Sequence, residues 1–596
     1  MLSLIKDLYS IFTLKQKTKF VTLQILVIVM AFLEVVGIAS IGPFMSLVSD
    51  NSYISSNSLL NSIYLYLDFT TEESFLTFIG FIVLLLLITS SVISMITTWI
   101  LGMFSARVGT QIADRLYAYY MKREWLFHSE SNSAELTKQI ANEATRVTDL
   151  VILPLMMLNA KSILLLFLCL GLLIYQPVLS FFILTSFSSI YFIQYLLVRN
   201  ILLKNGETLS KVAAERFKLM NEGFGGIRDL ILLDRTKYFT DRFSDAGVRF
   251  ANARGLNHVL WQVPKYFIEM LAFSILIGII IYFIALRGSE LSEILPVISI
   301  FALAAFKLLP ALQQVYASLG QIKGNISAFL SIKEDLLKSN QKVVIQTENI
   351  IEAVGSELRL ENVYFNYPSS QNNSLTDLNL SIPQNSSVGI VGPSGSGKST
   401  LIDIISGLIP PSKGRLLFND QAIDSSNNKQ WQKRIGLVSQ SIFLTEETIR
   451  RNIAFGIEDK LIDDEKIELA IRLASLEDFI NSLQEKENTP VGERGVQLSG
   501  GQIQRIGIAR ALYNNAEILI FDEATSSLDG LTEKLIIESI NNLRGKKTII
   551  FVAHRLNTVK LCNNIILLKD GSIHQEGTFD DLFENSELFR EMVKNS

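Results

Sequence analysis

Long apolar runs alternate with charge-rich stretches along the first half of the chain, and in the second half the apolar runs shorten to strand length. Six runs reach the roughly 20 predominantly apolar residues of a helical membrane span. They cover residues 19–48, 75–103, 150–175, 177–200, 257–286 and 291–319. The third and fourth part only at "YQPVL", where Pro177 breaks the helix and predicts a tight turn. Between spans, segments such as "SAELTKQIANEATRVTDL" keep helical periodicity while carrying charge. They are expected to be helices continuing beyond the membrane.

From about residue 335 the pattern changes. "LRLENVYF", "SSVGIVG", "RIGLVSQ", "EILIFDE" and "KTIIFVAH" read as strands with helical stretches between several of them, which predicts an α/β nucleotide-binding fold. The division is residues 1–320 as a six-helix all-α transmembrane domain, 321–354 as a linker and 355–596 as the α/β P-loop domain.

Composition agrees. The 596 residues are 49% hydrophobic and 19% charged, with a mean hydropathy of +0.32, whereas soluble chains carry about 25% charge. A net charge of -4 supplies no basic field for nucleic acid, which is excluded as a partner. Cys169 and Cys562 form no zinc or disulfide pattern, and the N-terminus lacks a signal-peptide core and cleavage site, so it is expected to be retained. Residues 49–74 hold no Lys or Arg, whereas 107–149 hold six and 199–256 hold eleven. That asymmetry predicts a multi-pass protein with both long loops and both termini in the cytoplasm.

"GPSGSGKST" lies between a strand and a helix. The run Gly392, Pro393, Ser394, Gly395, Ser396 and Gly397 leads to Lys398, Ser399 and Thr400, the pattern of a phosphate-cradling loop. Its glycines let backbone N–H groups wrap phosphates, Lys398 reaches the β and γ phosphates, and the Ser399 hydroxyl is placed for Mg2+. "EILIFDEATSSLD" ends an apolar strand in Asp522, a second candidate Mg2+ residue, followed by Glu523, the candidate general base. ATP and Mg2+ are the expected cofactors.

"LSGGQIQRIGIARAL" resembles the signature motif of ATP-binding cassette (ABC) proteins. The resemblance implies that Leu498, Ser499, Gly500, Gly501 and Gln502 contact the ATP of a partner subunit. It further implies that Tyr367 stacks on adenine, and that Gln440 senses Mg2+ and the membrane domain. Asp529 would belong to the D-loop, and His554 would be the catalytic switch histidine. "TPVGERG", with Glu493, resembles the exporter-type segment before the signature. The whole chain resembles an ABC exporter half-transporter, which implies a homodimer with two ATP sites and twelve membrane helices. Within it, "EWLFHSESNS" and "NEGFGGIRDL" resemble the coupling helices.

Charged residues inside spans point toward substrate. At about 1.5 Å rise per residue, Lys307 lies roughly 28 Å and Lys265 about 30 Å below the outer ends of their helices, near inner-headgroup depth. Glu34 and Lys161 come out shallower and are candidates to pair with each other. Lysines facing a cavity would suit a phosphate or pyrophosphate. Snorkelling, or a Lys265–Glu269 pair, accounts for the same residues without substrate. In "NSLLNSIYLYLDF", Leu59, Leu60, Ile63 and Leu67 fall at helical spacing, suiting an interfacial helix against a lipid chain or one packed on neighbouring spans.

That loop, "VPKYFIE" and "FKLLP" together are similar to the bacterial flippases of lipid-linked oligosaccharides. The similarity implies a polyprenyl-pyrophosphate-linked glycan, or a similar glycolipid, moved from the cytoplasmic to the outer leaflet of the bacterial inner membrane, with Lys265 and Lys307 as contacts. A general lipid, drug or peptide exporter is the alternative. An ATP-gated channel or regulatory membrane protein is the alternative of another class, with intact Glu523 and His554 against it.

Overall fold

The computed structural model describes residues 2–49, 62, 64–67, 69, 71–282, 291–340, 357–368, 373–523, 530–541, 543–553 and 556–594. Two compact units emerge, Met1–Arg123 with Phe127–Lys342, and Glu124–Leu126 with Val343–Ser596.

The first unit is helical. Its main elements are α1 (Leu2–Ile11), α2 (Leu14–Ala39), α3 (Glu72–Met121), α4 (Leu153–Tyr175), α5 (Pro177–Gly225), α6 (Thr236–Gln262), α7 (Pro264–Tyr282) and α8 (Leu291–Ser339). Thr13 starts α2 with a capping box, its hydroxyl accepting from the Gln16 amide while Gln16 Oε1 accepts from the Thr13 N–H at 2.8 Å. Leu23, Val27, Met30, Ala31, Glu34 and Ile38 then form the buried stripe expected of 3.6-residue periodicity. The 50 residues of α3 and the 49 each of α5 and α8 reach about 75 Å at 1.5 Å per residue, well beyond a hydrocarbon core of about 30 Å. The charged stretches are thus helical extensions.

Among the described residues, Leu14–Met45, Glu72–Met121, Ser133–Tyr175 and Ser180–Gly225 are long and apolar enough to cross a membrane. α7 and α8 occupy the fifth and sixth predicted runs, and residues 283–290 between them lie outside the described residues. The turn at Pro177 is as tight as expected. Gln176 alone separates α4 from α5, and Ser180 Oγ donates to Leu172 O at 2.8 Å across it.

Two expectations need correction. Residues 321–339, read as linker, continue α8, because Ile322, Phe329, Ile332 and Leu336 keep an apolar face that is fully packed. Glu34 does not pair with Lys161: its carboxylate accepts from Ser94 Oγ and lies 3.8 Å from Lys307 Nζ. Separate depth counts along two helices could not register this crossing.

Among the described residues the second unit holds ten strands: β1 (Glu357–Phe365), β2 (Leu375–Pro383), β3 (Ser387–Val391), β4 (Lys413–Phe418), β5 (Gln421–Ala422), β6 (Ile435–Val438), β7 (Ile518–Asp522), β8 (Thr548–Val552), β9 (Asn564–Lys569) and β10 (Ser572–Gly577). Its helices include α9 (Lys398–Ile405), α10 (Gly500–Tyr513) and α11 (Gly530–Asn541). A four-stranded sheet runs β2-β1-β4-β5, and a six-stranded sheet runs β10-β9-β3-β8-β7-β6. β3 and β8 are buried at every position, as are the first four residues of β7, which is the run pattern of parallel strands covered on both faces. Because β9, β3, β8, β7 and β6 run parallel, their carboxyl ends share one edge, where such sheets place ligands.

Candidate functional site

At that edge β3 ends in Val391 and the chain turns through Gly392 to Gly397 into α9. Gly397 has φ +97°, and a Cβ there would lie 2.8 Å from both Leu375 Cδ2 and Ser374 O. Conformation and space both demand glycine. Lys398 folds back under the loop, donating to Gly392 O at 2.8 Å and Pro393 O at 2.9 Å. Burial lowers its pKa, while the Glu523 and Asp522 carboxylates oppose that shift. Ser396 Oγ is buried with no protein hydrogen-bond partner among the described residues. A loop with an anchored cation, N–H groups at a helix start and an orphaned hydroxyl fits a phosphate chain.

Across the edge, β7 delivers Asp522 and Glu523. Glu523 has φ +51°, an uncommon conformation for a glutamate. Its N–H donates to Val552 O at 3.0 Å, and Gln504 Nε2 approaches its carbonyl at 3.4 Å. Gln440, just beyond β6, donates from Nε2 to Glu523 Oε2 at 2.7 Å. A cleft of about 840 Å³ is lined by Lys398, Ser399, Thr400, Gln440, Asp522 and Glu523 among others. The Ser399 hydroxyl, Gln440 amide and Asp522 carboxylate are hard oxygen donors on this one cleft, a set that fits Mg2+ completed by phosphate and water. One turn into α9, burial pushes the Asp403 carboxyl up to about 6, and Asp522 pushes the same way.

Tyr367 stands beside this loop, its OH 3.4 Å from Thr400 Oγ1 and its ring edge-on to Phe365 at 4.9 Å. Ser499 caps α10, its hydroxyl accepting from the Gln502 N–H at 3.3 Å and its own N–H donating to Gln502 Oε1 at 2.8 Å. Ser499 and Gly500 are exposed, and none of residues 498–502 lines the cleft. Asp529 and His554 lie outside the described residues. Sequence reasoning missed Asp570 and Gly571, which close the cleft from the β9–β10 hairpin. Gly571 donates its N–H to Ser396 O at 3.2 Å. The dipeptide Asp-Gly that ends the apolar run "IILLK" was the available signal.

In the helical unit, Lys265 Nζ sits 5.0 Å from the Tyr266 ring centre. Glu269 accepts instead from Gln313 Nε2 at 3.3 Å, so among the described residues the Lys265–Glu269 pair does not form. Lys307 remains 37% exposed beside the buried Glu34. Of the outer loop, Leu59, Leu60 and Ile63 lie outside the described residues, while Tyr64 and Phe69 pack on Phe75 at 5.2 and 5.4 Å.

Residues 20–306 match the family described as ABC transporter transmembrane region, and residues 375–526 match the one described as ABC transporter. The ATP-dependent lipid A-core flippase of Escherichia coli (strain K12) is 27% identical over 531 residues, 88% of this chain and 89% of that protein. ABC transporter B family member 13 of Arabidopsis thaliana is 38% identical over 276 residues, 46% of this chain and 22% of its own length. The chain thus spans about a fifth of the length of the curated relatives that it matches at 36% and 38% identity. A solved structure of a bacterial Atm1-family ABC exporter with ATP bound covers 96% of this chain and 98% of its own, at TM-score 0.77 and 21% identity. That likeness is one of fold.

Proposed function

Because the chain belongs to the ABC transporter family, with matches in both its helical and its α/β unit, we propose that it is an ATP-driven exporter half-transporter that flips an amphiphilic lipid as a homodimer. The observation that carries this reading is the cleft that gathers Lys398, Asp522 and Glu523. Lys398 and the loop N–H groups bind the phosphates, and a magnesium ion at Ser399, Gln440 and Asp522 would neutralise charge on them. Glu523 accepts the proton of the attacking water, and its hydrogen bond to Gln440 orients the carboxylate. His554 completes the site by family resemblance.

One chain would supply half of each ATP site, because the exposed start of α10 does not line its own cleft. A second copy presenting that start supplies the missing wall, and Asp529 belongs to it by family resemblance. The last turn of α5 and the short helix Ile227–Leu232 after it expose Phe224, Ile231 and Leu232, an apolar tip that suits docking on the second copy. Nucleotide closing two copies together and hydrolysis parting them would drive the spans between states.

The finer reading is a polyprenyl-pyrophosphate-linked oligosaccharide, carried across a bacterial inner membrane with the N-terminus and α/β unit cytoplasmic. Similarity over nearly full length to a lipid A-core flippase supports a lipid cargo. Lys265, with no carboxylate at ion-pair distance among the described residues, and the half-exposed Lys307 are the phosphate contacts. The two-copy site is tested by sedimentation of the Glu523→Gln protein with Mg-ATP, which should give a dimer. A wild-type protein that sediments as a folded monomer and still hydrolyses ATP would eliminate the shared site.

A further inference from the structure

Away from the nucleotide cleft, a second cleft of about 930 Å³ opens between α2 and α3 within the helical unit. Its polarity is graded. On α2, Lys15, Lys19 and Leu23 follow one another at intervals of four residues, and on the antiparallel α3, Trp99, Met103 and Arg107 do the same. Each series climbs about 12 Å at 1.5 Å per residue. Lys15, Lys19 and Arg107 therefore gather at one end of the cleft, and Leu23, Trp99 and Met103 at the other.

The charged end is built rather than frayed. Gln16 Nε2 donates to Gln111 Oε1 at 2.5 Å and ties the two helices beside the cations. Phe12 packs edge-on to Phe104 behind them. Among the described residues, none of Lys15, Lys19 and Arg107 has a carboxylate at ion-pair distance, whereas nearby Lys333 is matched by Asp7 at 2.8 Å. The apolar end is open, with Trp99 68% and Met103 43% exposed. Three uncompensated cations at interfacial depth above an exposed apolar wall match an anion carrying a hydrocarbon chain.

We infer that this cleft binds an anionic phospholipid of the leaflet at the charged end, its phosphate held by Lys15, Lys19 and Arg107 and one acyl chain lying along Trp99 and Met103. The site is separate from Lys265 and Lys307 and does not rest on the substrate reading. A lipid seated there bridges the first two spans where they leave the membrane. A second copy of this chain covering the cleft would have to bring acidic groups to these three cations, whereas a phospholipid carries the negative charge itself.

Trp99 makes the test direct. The full chain is placed in nanodiscs of phosphatidylcholine and phosphatidylglycerol, with bromine on the chains of one lipid or the other in equal proportion. The Trp99 signal is taken as wild type minus Trp99→Phe. Brominated phosphatidylglycerol should quench it roughly twofold more than brominated phosphatidylcholine. The combined Lys15→Gln, Lys19→Gln, Arg107→Gln change should remove that preference while ATP hydrolysis continues. Equal quenching by both lipids in the wild-type chain overturns the proposal without reference to any variant. So does the absence of quenching by either, which would mean that a second copy covers the cleft.

Discussion

Replacing Arg146 with Met tests the packing of the helical extensions beyond the membrane. Arg146 donates from Nη1 to Glu143 Oε2 and to Ser210 Oγ, both at 2.9 Å, and from Nη2 to Asn325 Oδ1 at 3.1 Å. It thereby joins the helix leading into α4 to α5 and α8 at one point. Glu143 is fully buried, at 0% exposure. Removing the arginine leaves that carboxylate without its counter-charge and takes the donor from Asn325 Oδ1, a loss of about 3–5 kcal/mol. For a unit of this size the melting temperature should fall on the order of 5 °C. Tryptophan-fluorescence melting of the detergent-solubilised protein reads this. The Glu143→Gln, Arg146→Met double variant should recover part of the loss, since no charge is then stranded. The partly exposed Lys333–Asp7 pair is the control, worth about 1 kcal/mol. An Arg146→Met drop no larger than that of Lys333→Met would mean that Glu143 does not depend on Arg146 for its counter-charge.

Three further outcomes are expected. Glu523→Gln should keep ATP binding and lower turnover by about 10²–10⁴-fold, so near wild-type phosphate release would remove Glu523 from the base role. Gly397→Ala forces a side chain into φ +97° and against Ser374 O, and strain of about 1–3 kcal/mol should weaken ATP binding roughly tenfold or more in a fluorescent-nucleotide titration. Asp403 titrates near 6 when folded against 3.8 when unfolded, so between these values the folded chain holds a proton that the unfolded chain releases. Its contribution is present below pH 3.8 and is lost as pH rises through about 6. Asp403→Asn should flatten that part of the stability profile, and an unchanged slope would contradict the assignment.

Local signals in the chain carried most of this architecture. The apolar runs, Pro177 and the glycine-rich loop each act within a few residues, and strands β1, β3, β6, β7 and β8 coincide with the β-branched runs. The strands overlooked, such as β2 with its exposed alternate positions, owe their place to pairing with β1 across the sheet. Distance in sequence hid the rest. The Glu34 contact with Lys307 and the Gln440 contact with Glu523 join residues with no shared local pattern. The left-handed backbone at Glu523 has no signal in composition, because glutamate rarely adopts it.

Flipping in liposomes tests whether ATP drives movement of a lipid-linked glycan. Fluorescent lipid-linked oligosaccharide, a labelled phospholipid and a labelled drug are each reconstituted with the protein, and the label's exposure to a membrane-impermeant quencher is followed. Mg-ATP should move the oligosaccharide lipid in preference to the other two. That movement should be absent with Glu523→Gln and weakened with Lys265→Gln and Lys307→Gln together. Movement of all three cargoes alike would return the protein to general export, and oligosaccharide movement that persists without ATP or with Glu523→Gln would contradict the account.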